Sequence, residues 1–439
     1  MLLPVALVTR LAPGVSYSRS SLDSFDGPGI LGAMAHTRRH TKLRTLGGVL
    51  TVLAALSLAP GGSNTAGLRE DAHAMSSSPS MRFQHRIIDP EPPRDPHVKA
   101  VGDIDGDGSP DLVVASSDGG PLVWYRNPGN PQNPRNPDWD KHIVHPSGTW
   151  SCYARIVDMD GDGDGDILIS EWYTHNRLEW YENPLPGGDP TKGPWRRHII
   201  GSPRAHDICT GDIDGDGQME IVTRDQGEPG HRILLWKRAG DGSWQQRSLP
   251  CPAGEGLAIG SIAASGRLDI VIGGRWYEAP ENIMADHWRE HVFAEWPADA
   301  VVAAADVSGD GRPDVVLTRS EGHHRLSWFE MPPDPRQDAW SEHIVDDSLD
   351  FGHSLVVCDS ADGQLHIVTA EMHQSPRKRV MVYTGRRGRH EWTREVISQT
   401  GSHNLCVLRL ADTGRLGIVG ANWSGDYQPL ELWEQVADE

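Results

Sequence analysis

Cysteine is scarce in this chain of 439 residues: there are five. No two have the spacing of a zinc module, and an odd count leaves at least one outside any disulfide framework. Hydrophobic residues make up only 37%, low for a helical enzyme with a large apolar core. Basic residues are outnumbered, 41 Lys and Arg against 61 Asp and Glu, for a net charge of −20. A phosphate backbone needs a basic surface, so nucleic acid is excluded as a partner. The apolar run from Gly47 to Ala59 is too short for a comfortable bilayer span, and no membrane span is expected in the mature protein. The mature part has no Ser-His-Asp pattern, P-loop or Rossmann signature, so hydrolase, NTPase and dehydrogenase readings lack support.

What is present points to export and to many short strands. From Met34 the chain reads "MAHTRRHTKLRTLGGVLTVLAALSLAPGG", a basic segment followed by an apolar run and small residues. That is the pattern of a secretory signal. Met34 is read as the true start, 1–33 as an over-extended reading frame, 34–66 as the signal peptide and 67–80 as a linker. The protein is therefore expected in the periplasm or outside the cell, where disulfides can form. Four of the cysteines fall on or beside expected inner strands and read as small buried residues. The 48 Gly and 32 Pro suit a chain of short strands and turns.

An Asp-rich stretch recurs. "DIDGDGSPDLVV" begins at Asp103, "DMDGDGDGDILI" at Asp158, "DIDGDGQMEIVT" at Asp212 and "DVSGDGRPDVVL" at Asp306. Eroded copies begin at Ser261, Cys358 and Arg409, giving seven copies about fifty residues apart. After each comes an aromatic strand, such as "LVWYRNP" or "LEWYENP", and after most a strand such as "WDKHIV" or "WRRHII". Four short strands at this period read as a β-propeller blade. The seventh unit stops after its third strand, and "FQHRII" at 83–88 would supply the fourth. Residues 81–439 are thus expected to form an all-β, seven-bladed propeller of four-stranded blades, closed by the N-terminal strand in the last blade.

These motifs resemble the FG-GAP and VCBS repeat propellers, which include the integrin α-subunit head. The resemblance implies calcium in the hairpin between the first and second strands of a blade. The residues agree with that. Carboxylates stand at loop positions 1, 3, 5 and 9: Asp103, Asp105, Asp107 and Asp111; Asp158, Asp160, Asp162 and Asp166; Asp212, Asp214, Asp216 and Glu220. A weaker set is Asp306, Asp310 and Asp314, with Ser308 at the third position. Oxygen ligands at this spacing suit calcium. Position 12, where an EF-hand places Glu, is Val114 or Ile169 inside an expected strand, so this is not a helix–loop–helix sensor.

The opposite face collects residues before each first strand and after each second strand. His97, His206 and His403 stand six residues before their loops, and His353 is offset by one. Beyond the second strands lie Glu171, Arg224, Asp225, Arg319, Glu371 and His373. His97, His206, His353, His403, Glu371 and His373 are the candidate catalytic residues, as an acid/base set or as ligands of a second divalent metal. Four tryptophans outside the strand motifs, Trp150, Trp172, Trp296 and Trp423, are expected in loops there. With Glu171, Arg224 and Arg319 they form the candidate ligand-binding set. The expected ligand is a carbohydrate, processed by elimination or dehydration. A weaker resemblance to the propeller parts of rhamnogalacturonan lyases and aldos-2-ulose dehydratases points the same way, although the former have eight blades and no catalytic residue carries over. The alternative is a non-catalytic module gripping a glycan or a protein. A monomer is expected.

Overall fold

The computed structural model describes residues 81–129, 138–172, 174–226, 231–337, 339–360, 363–410 and 413–436. The start at Met34, the signal segment and the linker lie outside them. Among the described residues there are 28 strands, β1 to β28, in seven antiparallel four-stranded sheets. The first strands of the blades are β2 (Pro96–Gly102), β6 (Trp150–Val157), β10 (Ala205–Gly211), β14 (Ala258–Gly260), β18 (Ala300–Ala305), β22 (Gly352–Asp359) and β26 (His403–Arg409). Each touches the next around the ring, and β26 returns to β2.

The last blade is completed as the sequence implies. Its order is β1 (Phe83–Asp89), β28 (Leu430–Gln435), β27 (Leu416–Ala421) and β26. Phe83 pairs with Gln435, and Ile87 with Glu431. This pairing covers an edge of β28 that would otherwise stay open.

Burial follows strand rank. The second strands, for example Asp111–Ser116 and Asp166–Glu171, are buried throughout and read as apolar runs. The fourth strands alternate and face solvent. Between third and fourth strands a Trp–His cross-strand pair recurs. Trp124 faces His142, Trp180 faces His198, Trp276 faces His291 and Trp328 faces His343. In the last three the rings stack 4.1–4.2 Å apart. The repeated histidines of the fourth strands are thus packing partners of the core tryptophans. No disulfide joins the five cysteines, and no described helix is long and apolar enough to cross a membrane.

Candidate functional site

Two kinds of site sit at opposite ends of the first strands. At one end are the Asp loops. In each, the first Asp accepts backbone N–H groups from glycines three and five residues on. Gly106 and Gly108 donate to Asp103, Gly161 and Gly163 to Asp158, Gly215 and Gly217 to Asp212, and Gly309 and Gly311 to Asp306. These glycines have positive φ, which lets the loop curl around its own carboxylate. In three loops the carboxylates at positions 1, 3 and 9 converge within 4.8 Å: Asp103, Asp105 and Asp111; Asp158, Asp160 and Asp166; Asp212, Asp214 and Glu220. Such groups could hold one hard cation such as calcium. The fifth-position Asp107, Asp162 and Asp216 stand outside these groups. Asp306, Asp310 and Asp314 form no such group.

Position 9 has a second job that the spacing did not reveal. Asp111 accepts N–H bonds from Ile104 and Asn127, at 3.0 and 2.7 Å, tying the hairpin to the third strand. Asp166 does the same with Met159 and Asn183, and Asp314 with Val307 and Met331. Asp269, in a blade whose other loop carboxylates are gone, keeps both bonds through Ala263 and Ala279. Its retention there was the available signal. Burial, followed by the neighbouring loop carboxylates, pushes Asp111 and Asp166 up to about 7 despite these bonds. A cation would relieve that cost.

At the other end, five first strands open with a β-bulge in the same frame. The register shifts between Pro96 and Val98, Trp150 and Ala154, Ala205 and Asp207, Gly352 and Ser354, and His403 and Cys406. A bulge turns one extra residue off the sheet and re-aims it. The residues at these bulges are His97, Cys152, His206, His353 and Asn404. Cys152 and Asn404 adopt φ of 60° and 49°, in the left-handed region where such residues are rare.

The bulged histidines and Cys152, joined by His403, Glu255 and Glu321, form a belt around the channel mouth. The His97 and His403 rings stack at 4.5 Å, and His403 lies 5.1 Å from His353. On the other side, the Cys152 N–H donates to His97 Nδ1 at 3.2 Å, and Cys152 Sγ is 3.2 Å from His206 Nε2. His206 Nε2 lies 3.7 Å from Glu255 Oε2. Ser320 bonds Glu255, and the adjacent Glu321 reaches His353 Nε2 at 3.3 Å, closing the belt. Trp423 packs against His97, His403 and His373, while Trp172 meets His206 edge-on at 5.3 Å.

Burial disfavours the charged forms of several belt groups. Burial, then the neighbouring His97 and His353, holds His403 well below the ordinary histidine value. Burial also lowers His206, partly opposed by Asp207. It raises the Cys152 thiol well above its usual range. Burial and then Asp299 push Glu321 up to about 7. His206 Nδ1 faces Asp207 Oδ2 at 3.2 Å, which places the proton on Nδ1 and leaves Nε2 as the acceptor.

Cys152 and Glu255 stand six residues before their loops, in the frame of His97 and His206, and a pattern of histidine alone does not reveal them because the residue type changes from blade to blade. Other candidates are placed elsewhere. Trp150 is fully buried and donates to Glu179. Arg224 donates to the carbonyls of Gly256 and Pro252. Glu171 is bonded to Arg177 and His175. Glu371 is clamped by Arg379, Arg377 and Ser375. These bonds outweigh the effect of burial and hold it below the ordinary range. Trp296 packs on Phe329 and His324, and Arg319 pairs with Asp299. An exposed guanidinium not anticipated from the sequence, Arg204, lies 4.8 Å over the Trp172 ring beside His206. Among the described residues, no group of three His, Cys, Asp or Glu side chains at the mouth converges as the Asp loops do.

Comparison with known proteins agrees on the repeat. The family model of FG-GAP-like repeats matches residues 103–169 and 158–223. No curated protein matches the chain by sequence. Among solved structures it is similar to the V. cholerae biofilm matrix protein Bap1, at 12% identity, 77% of each chain covered and a TM-score of 0.33. It is similar to the NanB sialidase of Streptococcus pneumoniae, at 12% identity, 79% of this chain and 69% of that one, with a TM-score of 0.39. It is also similar to the polysaccharide lyase Uly1, at 10% identity, 78% and 90% coverage, with a TM-score of 0.40. Likeness at this level says nothing about the chemistry of the belt.

Proposed function

We propose that this chain, a seven-bladed propeller carrying FG-GAP-like repeats, is an exported, calcium-stabilised monomer that binds a carbohydrate at the channel mouth opposite its Asp loops. The observation that carries the reading is the closed belt of His97, Cys152, His206, Glu255, His353 and His403, assembled from six blades at one end of the ring. Packing usually disposes of repeated histidines one blade at a time, as in the Trp–His pairs of the outer strands.

The chemistry that fits is elimination from an acidic sugar. Arg204, beside Trp172, holds the uronate carboxylate. His206, oriented by Asp207 and neutral at pH 7, accepts at Nε2 the proton on the carbon next to that carboxyl. The C–H electron pair becomes a C=C bond, and the oxygen on the β-carbon leaves with its electrons and takes up a proton from water. A second divalent metal at the mouth would polarise the carboxyl, but it would need a ligand group that the described residues do not bring together.

A second reading has its own support. His206 and Cys152 are fully buried, while Trp423, Trp172, His373 and Arg204 lie nearer the surface. A glycan gripped by those outer groups alone would meet no base, and the protein would be a binding module.

Acidic polysaccharides should be screened for binding and for the ultraviolet absorbance of an unsaturated uronate. The enzyme reading expects turnover in wild type and its loss, with binding kept, in His206→Ala. Binding without turnover, lost in Trp423→Ala, supports the module. No binding to any glycan overturns both. Metal analysis of purified protein belongs with this test, since calcium alone would remove the metal-assisted variant.

A further inference from the structure

One position in the third strand decides what each Asp loop faces. The register of blade three pairs Ile221 with Trp236, which sets Glu220, the ninth loop residue, opposite Lys237. The same register sets Asp111 opposite Arg126, Asp166 opposite Glu182, Asp269 opposite Glu278 and Asp314 opposite Glu330. Where this residue is Glu, it turns outward and meets the fourth-strand histidine. Glu182 meets His198 at 2.5 Å, Glu278 meets His291 at 3.0 Å and Glu330 meets His343 at 2.9 Å. Where it is a cation, it turns to the loop instead. Arg126 reaches Asp105 at 2.7 Å. Lys237 goes further: its ammonium lies 2.6 Å from Asp214, 2.8 Å from Asp216 and 3.0 Å from Glu220. Blade three also has Arg247 where blades one, two, four and five carry the fourth-strand histidine, and Arg247 is satisfied by the carbonyls of Met284 and Asp286.

Loop two is the opposite case. Its third-strand residue is Glu182, and no Lys, Arg or His among the described residues pairs with Asp158, Asp160, Asp162, Asp164 or Asp166. Both side-chain oxygens of Asp164 are buried against the loop with no hydrogen-bond partner.

We propose that the Lys237 ammonium is the built-in cation of the third loop, standing where loop two takes a divalent ion. An ammonium with three donors satisfies three convergent carboxylates as a hard cation would, and a calcium ion cannot enter without displacing it. The third hairpin is therefore independent of calcium although its sequence is that of a calcium loop.

Bound calcium counted by native mass spectrometry, after chelation and reloading, tests this. Asp214→Ala should leave the wild-type count unchanged, whereas Asp160→Ala, the equivalent change in loop two, should lower it by one. Lys237→Gln should raise it by one. A lower count in Asp214→Ala, or an unchanged count in folded Lys237→Gln, overturns the assignment. Should Lys237→Gln fail to fold, the Asp214→Ala comparison decides alone.

Discussion

At the scale of single residues, the stability of each blade concentrates in a few buried contacts. Trp276 is fully buried and stacks on His291. Trp276→Ala should cost about 3–5 kcal/mol, the usual range for emptying an aromatic site, in urea unfolding. Glu371 is fully buried between Arg379 and Arg377. Glu371→Gln removes the charge and strands Arg379, itself nearly buried. Breaking such a pair costs about 3 kcal/mol. Unchanged stability would show that the pair with Arg379 does not hold the fold. The sequence made the Trp and His repeats legible because each recurs as one residue type at one offset. The belt was only half legible, since its frame position holds His, Cys and Glu in different blades. Nor did the sequence show that Arg224 and Trp150 bond inward, because their partners stand 28 to 32 residues along the chain and only the folded strands bring them together.

At the scale of the strand, the important features are irregular ones. The hairpins were legible from Asp and Gly spacing, and removing calcium should lower the melting temperature by several degrees, through loops one and two. An unchanged melt in chelator would remove calcium from the description of the fold. The bulges that aim the belt were not legible, because one extra residue in a strand leaves no mark in an apolar run. Between the first strand of blade one and the last blade lies Lys99, buried, with its ammonium bonded to the carbonyls of Pro96 and Ala421. Burial pulls it down to about 7 from an ordinary 10.5. Between those values the unfolded chain holds the proton and the folded chain does not. Stability at this residue therefore rises with pH there, by up to about 1.4 kcal/mol per unit, and is flat below about 7. Lys99→Met should lose that slope. If wild type and variant run parallel through this window, the folded chain keeps the proton.

At the scale of the whole molecule, the ring was legible because its units could be counted and the last was short by one strand that the N-terminus supplied. Deleting residues 81–89 should leave β28 uncovered along its length. The expected outcome is a lower melting temperature and protease cleavage near the C-terminus, with the other blades still folded.

That same join has a consequence in time. The segment around Phe83 leaves the ribosome before every blade, yet its partner Gln435 follows only after all the other strands of the ring. Until then β1 has no strand partner, and its backbone groups are held only by water. Closing so long a loop is slow. A circular permutant that moves 81–89 behind Val436 turns the join into a local hairpin. It should reach the same native stability and fold measurably faster.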